Sequence, residues 1–198
     1  MKNTLLFCTG LSGSGKSYFA KNMLPAGLFY NLKSATTRPM RAGETDGVEY
    51  YFRDEQYFEN TPLATRLWVN EASWTPGMPK WLYGVPEFEI KAHLGQNLIY
   101  DVIQPKYARQ MIDWFRAHGL ASKYNFKIAY FLAPENNFDI AAGRANMPND
   151  NDVRRTNTCN PNDFVNSGLE IDYLLKPIEN IFSKKLARHI EYLKRPSR

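Results

Sequence analysis

A parallel α/β sheet flanked by helices is the fold class this chain predicts, and three observations predict it. Apolar runs of strand length recur at 5–9, 29–32, 98–103, 127–132 and 171–175. Amphipathic helical patterns lie between them, and one stretch, 34–90, breaks the rhythm with aromatics, four prolines in its second half and an Asp46-Gly47 turn signal. Strands that alternate with helices pair in parallel through right-handed crossovers. The 198 residues, 43% hydrophobic and 23% charged, suffice for one compact domain carrying a small insert.

Taken in order, the first apolar run ends at Gly10, and Gly10-Leu11-Ser12-Gly13-Ser14-Gly15-Lys16-Ser17 fits the G-x-x-x-x-G-K-[ST] pattern between a strand and a helix. Glycines let successive backbone N–H groups converge on phosphate oxygens at the positive end of the helix. Gly10, Ser12, Gly13, Ser14, Gly15, Lys16 and Ser17 are therefore the expected ATP-binding set, with Lys16 supplying a point charge and Ser17 a ligand for Mg²⁺. The spacing predicts a helix over 16–24, stopped by Pro25.

The prolines and turn signals of 34–90 predict a small β-rich insert rather than another βα unit. Pro105 suits the first turn of a helix that carries Tyr107, Met111, Trp114, Phe115 and His118 on one face. Residues 146–163 are polar and asparagine-rich, a composition that suits a mobile lid. A last helix is expected with Ile178, Ile181, Phe182, Leu186, Ile190 and Leu193 on its buried face. The expected organisation is core with phosphate loop 1–33, acceptor insert 34–90, core 91–145, lid 146–163, and core with C-terminal helix 164–198.

Composition narrows the setting. Two cysteines, Cys8 and Cys159, exclude a disulfide-built scaffold. The first apolar run, about five residues, is too short for a signal-peptide core or a membrane span, so a cytoplasmic protein with no membrane partner is expected. A net charge of +5 permits an anionic ligand without requiring one. Lys184, Lys185, Arg188, Lys194, Arg195 and Arg198 read as the solvated side of the last helix, and no nucleic-acid partner is expected. His93, His118 and His189 have no metal-site spacing.

The stretch Ser34-Ala35-Thr36-Thr37-Arg38-Pro39-Met40-Arg41-Ala42-Gly43-Glu44, continued to Tyr50-Tyr51-Phe52, places two arginines where they can converge on one phosphate dianion, with a tyrosine hydroxyl to complete the ring. A phosphate loop followed by S-x-T-T-R-x-x-R-x-G-E-x-x-G-x-x-Y at this distance resembles the guanylate kinase family of P-loop nucleoside monophosphate kinases. Trp81-Leu82-Tyr83-Gly84 is similar to that family's tyrosine-glycine turn, 98–102 to its central aspartate-bearing strand, and Gly143-Arg144 with Arg154-Arg155 to its lid.

The resemblance implies that Arg38, Arg41, Tyr50 and Tyr83 hold an acceptor phosphate, that Ser34 and Glu71 touch the base, and that Asp101 sits near Mg²⁺. Arg144 with Arg154 or Arg155 would close on the transferring phosphate as catalytic residues beside Lys16. It further implies ATP as donor, GMP or dGMP as acceptor, and a monomer or weak homo-oligomer. Departures from the family pattern are Val85 where a Ser or Thr is usual, Asn70 without a gap at the acidic position, a longer 74–80 stretch, Ile103 for a second aspartate, and Lys176 for an asparagine. Another nucleoside monophosphate or ribose 1,5-bisphosphate remains an alternative acceptor, and a silent protein-binding domain of the same fold an alternative class.

Overall fold

In chain order the strands are β1 (Asn3–Gly10), β2 (Tyr30–Asn31), β3 (Ala35–Thr36), β4 (Tyr51–Phe52), β5 (Leu63–Val69), β6 (Trp81–Pro86), β7 (Leu98–Asp101), β8 (Tyr124–Phe131) and β9 (Tyr173–Leu175). The helices are α1 (Lys16–Tyr18), α2 (Glu55–Asn60), α3 (Glu87–Ala92) and α4 (Pro105–Ala117). The computed structural model describes residues 2–10, 14–24, 26–69, 81–102, 104–132, 166–175 and 190–191.

The apolar runs pair as one parallel sheet in the order β2-β7-β1-β8-β9, with β1 at its centre. A central strand covered on both faces reads as a nearly continuous apolar run, and β1 is buried from Thr4 to Gly10, with only Thr4 and Thr9 polar along it. Successive side chains separate to opposite faces. Leu5 and Phe7 join Leu98, Tyr100, Ile128 and the apolar stripe of α4, while Leu6 and Cys8 join Ile99, Ala129, Phe131 and Phe19. Ile190, in the part of the expected last helix that is described, is helical and packs in the second group.

A second sheet, in the order β4-β3-β6-β5, is built from residues 35–86. Its β5–β6 pair is antiparallel, and Gly84 lies inside β6 rather than in a turn, correcting the expectation from Tyr83-Gly84. The reason is space: a Cβ on Gly84 would stand 2.5 Å from the Thr65 carbonyl oxygen, so only glycine lets the strands approach. Two short helices, α2 and α3, accompany the strands of this stretch. Asp54 caps α2 by accepting the Tyr57 amide at 2.9 Å, and Glu87 and Glu89 give α3 an acidic first turn.

The helix expected over 16–24 runs from Lys16 to Met23 but is α-helical only to Tyr18, after which Phe19–Met23 forms a π-helical turn. Such widened turns are too short to leave a periodic sequence signal. Helix α4 begins at Pro105, whose missing N–H costs nothing in the first turn.

Candidate active site

The carboxyl ends of β1 and β7 lie side by side, with Cys8 level with Asp101, and both chains leave the sheet there. In open parallel sheets this edge is where ligands bind. Gly10 has φ +146°, and a Cβ there would lie 2.5 Å from the Phe131 carbonyl oxygen. Gly15, with φ +89°, turns the chain into α1, where Phe19 N–H closes on Gly15 O at 2.9 Å. Lys16 is 7% exposed and its Nζ donates to Gly10 O at 3.0 Å, folding the ammonium over the loop. The fully buried Ser14 Oγ has no hydrogen-bond partner among the described residues.

Ser17 Oγ donates to Asp101 Oδ2 at 2.7 Å, joining α1 to the end of β7 across the sheet edge. Two hard oxygen donors beside a positively charged loop suit Mg²⁺, which typically takes only one or two protein ligands and completes its shell with phosphate and water. No cluster of three or more His, Cys, Asp or Glu among the described residues offers a different kind of metal centre. His118 caps α4, its Nδ1 2.8 Å from Trp114 O.

On the acceptor side, Arg38 is 3% exposed and anchored through Nη2 to Glu44 Oε1 and through Nη1 to Pro39 O, both at 2.7 Å. Glu44 Oε2 also accepts the Arg41 amide at 2.7 Å, so one carboxylate fixes both arginine positions. The Arg38 guanidinium lies 5.4 Å from the Tyr50 ring and 5.5 Å from that of Phe52, within cation–π range. Tyr50 and Tyr83 meet edge to face at 5.9 Å. Burial works against the Arg38 charge, but Glu44 and the neighbouring phenols outweigh it and hold its pKa above the ordinary value. Burial likewise pushes the Glu44 carboxyl up, and the bonds from Arg38 and Arg41 reverse that to leave it below its ordinary value.

Thus Gly10, Ser14, Gly15, Lys16, Ser17 and Asp101 gather at one edge, and Arg38, Tyr50 and Tyr83 form one cluster with Arg41 tied to it through Glu44. Ser34, 8% exposed, enters the insert beside β4, whose Tyr51 amide bonds Ser34 O at 2.9 Å. Ser12, Gly13, Asn70, Glu71, Ile103, Arg144, Arg154, Arg155, Cys159, Lys176, the 74–80 stretch, the lid 146–163 and most of the last helix lie outside the described residues.

Sequence reasoning missed four polar residues. Glu44 stood in the motif but was assigned no task. Glu89, 2% exposed, accepts from Tyr30 Oη at 2.9 Å, Tyr51 Oη at 2.7 Å and Lys33 N at 3.0 Å. Thr65 stands directly across from Val85 in the β5–β6 pair, with Oγ1 3.2 Å from Tyr100 Oη. Thr65, followed directly by Arg66, carries no local signal that sets it apart, and Tyr100 reads as an ordinary strand aromatic.

A parallel sheet with Gly10, Gly15 and a buried lysine at its carboxyl edge, and a second sheet carrying an arginine-tyrosine cluster, is consistent with the α/β fold of P-loop NTPases. Comparison with known proteins narrows the class. No family model matches. The chain is 26% identical over 202 residues to the guanylate kinase of Rickettsia prowazekii, covering 96% of each. It is 39% identical over 114 residues to that of Carboxydothermus hydrogenoformans, a match over 56% of this chain and about half, 52%, of that protein. In structure it is similar to the guanylate kinase of Anaplasma phagocytophilum, with a TM-score of 0.52 at 14% identity, over 97% of this chain and 82% of that one. Along nearly its whole length the chain is thus similar to guanylate kinases in sequence, and in fold to a guanylate kinase.

Proposed function

We propose that this protein transfers the γ-phosphoryl group of ATP to a nucleoside monophosphate, GMP or dGMP, yielding ADP and the nucleoside diphosphate. The observation that carries the reading is that one molecule holds two clusters suited to phosphate. Lys16, Ser17 and Asp101 gather at the edge of the parallel sheet, and Arg38, Tyr50 and Tyr83 gather on the insert. A domain that only bound protein partners would have no use for a buried lysine folded over a glycine loop.

Phosphoryl transfer asks for in-line oxygens and for neutralisation of charge spreading over the γ-phosphoryl group. Lys16 supplies positive charge on the donor side, and Ser14 Oγ is free among the described residues to donate to a phosphate oxygen. Ser17, with Asp101 beside it, would hold Mg²⁺, which neutralises and orients the donor phosphates when bound. Arg38 and Arg41 bind the acceptor phosphate and aim one of its oxygens at the donor, with Tyr50 and Tyr83 as further hydrogen-bond donors. A monophosphate is already largely ionised at neutral pH, so no strong base is required. Arg144, Arg154 and Arg155 are assigned to the transferring phosphate on the family resemblance. We place the activity in the cytoplasm, with the protein acting as a monomer or weak homo-oligomer and without nucleic acid.

The test is ADP release from Mg-ATP with GMP, dGMP, AMP, CMP, UMP, dTMP and ribose 1,5-bisphosphate offered singly. The expected result is turnover with GMP or dGMP at least about tenfold above the others. Turnover confined to another acceptor would reassign the substrate, and binding of Mg-ATP without any acceptor-dependent ADP release would refute the kinase reading.

A further inference from the structure

The second sheet meets the rest of the molecule differently along its two edges. At one edge β5 packs against α4: Ala64 and Leu67 share an apolar cluster with Ala108 and Met111, and the Arg66 amide donates to Gln110 Oε1 at 3.1 Å. The other edge is β4, a strand of two residues at the end of the sheet that pairs with β3. Its Tyr51 packs within the insert, against the cluster of Ala35, Phe58 and Leu82. This edge leads directly from Tyr50, whose ring lies beside the Arg38 guanidinium.

Two polar contacts tie this edge to the core. Lys21, beyond the phosphate loop, lies 3.6 Å from Glu49 Oε1, but its side chain is 71% exposed, and an ion pair so open to water contributes little. The other contact ends on a buried carboxylate. Tyr51 Oη donates to Glu89 Oε2 at 2.7 Å, while Glu89 Oε1 accepts Tyr30 Oη of β2 and the Lys33 amide. Lys33 Nζ lies 2.8 Å from Tyr30 Oη; an ammonium only donates, so the Tyr30 oxygen accepts from it and its hydrogen goes to Glu89. Two residues earlier on α3, Glu87 accepts the Trp114 indole of α4 at 2.9 Å. Glu89 is thus anchored to the core on one side and holds the insert on the other. Consecutive residues of an extended chain point to opposite sides. Tyr50 lies beside Arg38 and Tyr83, and Tyr51 reaches Glu89, so a bond that holds Tyr51 from behind fixes Tyr50 in front.

We propose that Tyr51 is a positioning residue for phosphoryl transfer: through its hydrogen bond to Glu89 it holds the β4 edge of the insert to the core, and so sets where Tyr50 and Arg38 present the acceptor phosphate relative to Lys16. The inference rests on the reading that Arg38 and Tyr50 bind that phosphate. Transfer needs the attacking oxygen in line with the donor, and a displacement of about 1 Å can cost about 10²-fold in rate. Loss of one bond at this edge should cost part of that.

The experiment is steady-state kinetics with Mg-ATP and GMP in the wild type, Tyr51→Phe and Tyr30→Phe, with the melting temperature of each. Both variants delete one hydroxyl bonded to the same carboxylate and keep their ring contacts, Tyr51 with Phe88 and Tyr30 with His93. Of the two bonds, the one from Tyr51 reaches the insert. In Tyr51→Phe kcat/KM for GMP should fall about tenfold, with a raised acceptor KM and an ATP KM within about twofold of wild type. In Tyr30→Phe the acceptor KM should stay within about twofold of wild type. A merely structural role would lower the melting temperature in both and move the acceptor KM in neither, because unfolded molecules subtract from kcat and not from KM. An acceptor KM unmoved in Tyr51→Phe, or raised equally in Tyr30→Phe, would overturn the inference while the kinase reading stands. The double variant Glu89→Ala/Tyr51→Phe should match Glu89→Ala alone in acceptor KM, and additive losses would likewise overturn it. A wild type that phosphorylates no nucleoside monophosphate would refute that reading and the inference with it.

Discussion

Glu44 shows how one residue can prepare a charged site before its ligand arrives. Its two oxygens bond the Arg38 side chain and the Arg41 amide, so the arginine pair is fixed by a carboxylate that is itself 14% exposed. Replacing one partner of a largely buried ion pair leaves the other charge uncompensated. Glu44→Gln should therefore destabilise the free protein by about 1–3 kcal/mol, less once an acceptor phosphate supplies the missing negative charge. Thermal melts with and without GMP check this, and an equal loss in both would show that Arg38 does not meet the acceptor. On the donor side, Lys16→Ala removes the ammonium held over the loop at Gly10 O and should reduce kcat by at least about 10²-fold with the fold retained. Circular dichroism and the ADP-release assay test both halves, and a near-wild-type rate would remove Lys16 from the mechanism.

Short elements meet at Glu89, on α3. It takes hydrogen bonds from Tyr30 of β2, from Tyr51 of β4 and from the Lys33 amide in the segment between the two sheets. Glutamine has one oxygen for these three donors and turns an N–H₂ toward the rest, so Glu89→Gln should cost about 1–3 kcal/mol in urea unfolding. A loss within error of zero would mean that the segment is held by packing alone. Glu89 also marks where sequence legibility ended. The five core strands were readable because each is a contiguous apolar run, and the phosphate loop because its residues are contiguous too. The helices α2 and α3, six residues each, are too short to establish a helical period, and the π-helical turn leaves no pattern. Arg38, Arg41 and Tyr50 could be grouped from one local segment. Thr65 and Tyr100, 35 residues apart in the chain, meet only through strand pairing and packing that no local spacing announces.

For the molecule as a whole, the same polar bonds bound the pH range in which it is stable. Glu44 is lowered against the effect of its burial by Arg38 and Arg41, Asp46 chiefly by the Phe52 amide and Arg53, and Glu87 chiefly by Lys91 and then the Trp114 indole. Each of these carboxylates binds its proton more weakly in the folded chain than in the unfolded one. As pH falls below the ordinary carboxylate range the unfolded state takes up protons first, and stability declines until the folded values are passed. On the alkaline side Tyr51 and Tyr100 are raised chiefly by burial, Tyr51 further by its bond to Glu89, and burial raises the Cys8 thiol as well. These groups hold their protons more tightly when folded. Stability is full below the ordinary thiol and phenol values and is lost as pH rises through them toward the raised folded ones. The melting temperature should be nearly flat from about pH 6 to 8, fall from about pH 5 to 3, and fall again above about pH 9. Melts across that range in a buffer series of constant ionic strength check the curve. In Glu44→Gln the acid limb should become shallower while the alkaline limb is unmoved, because the variant removes one depressed carboxylate and no raised phenol. An acid limb identical to that of the wild type would show that the Arg38–Glu44 pair does not contribute to the pH dependence of folding.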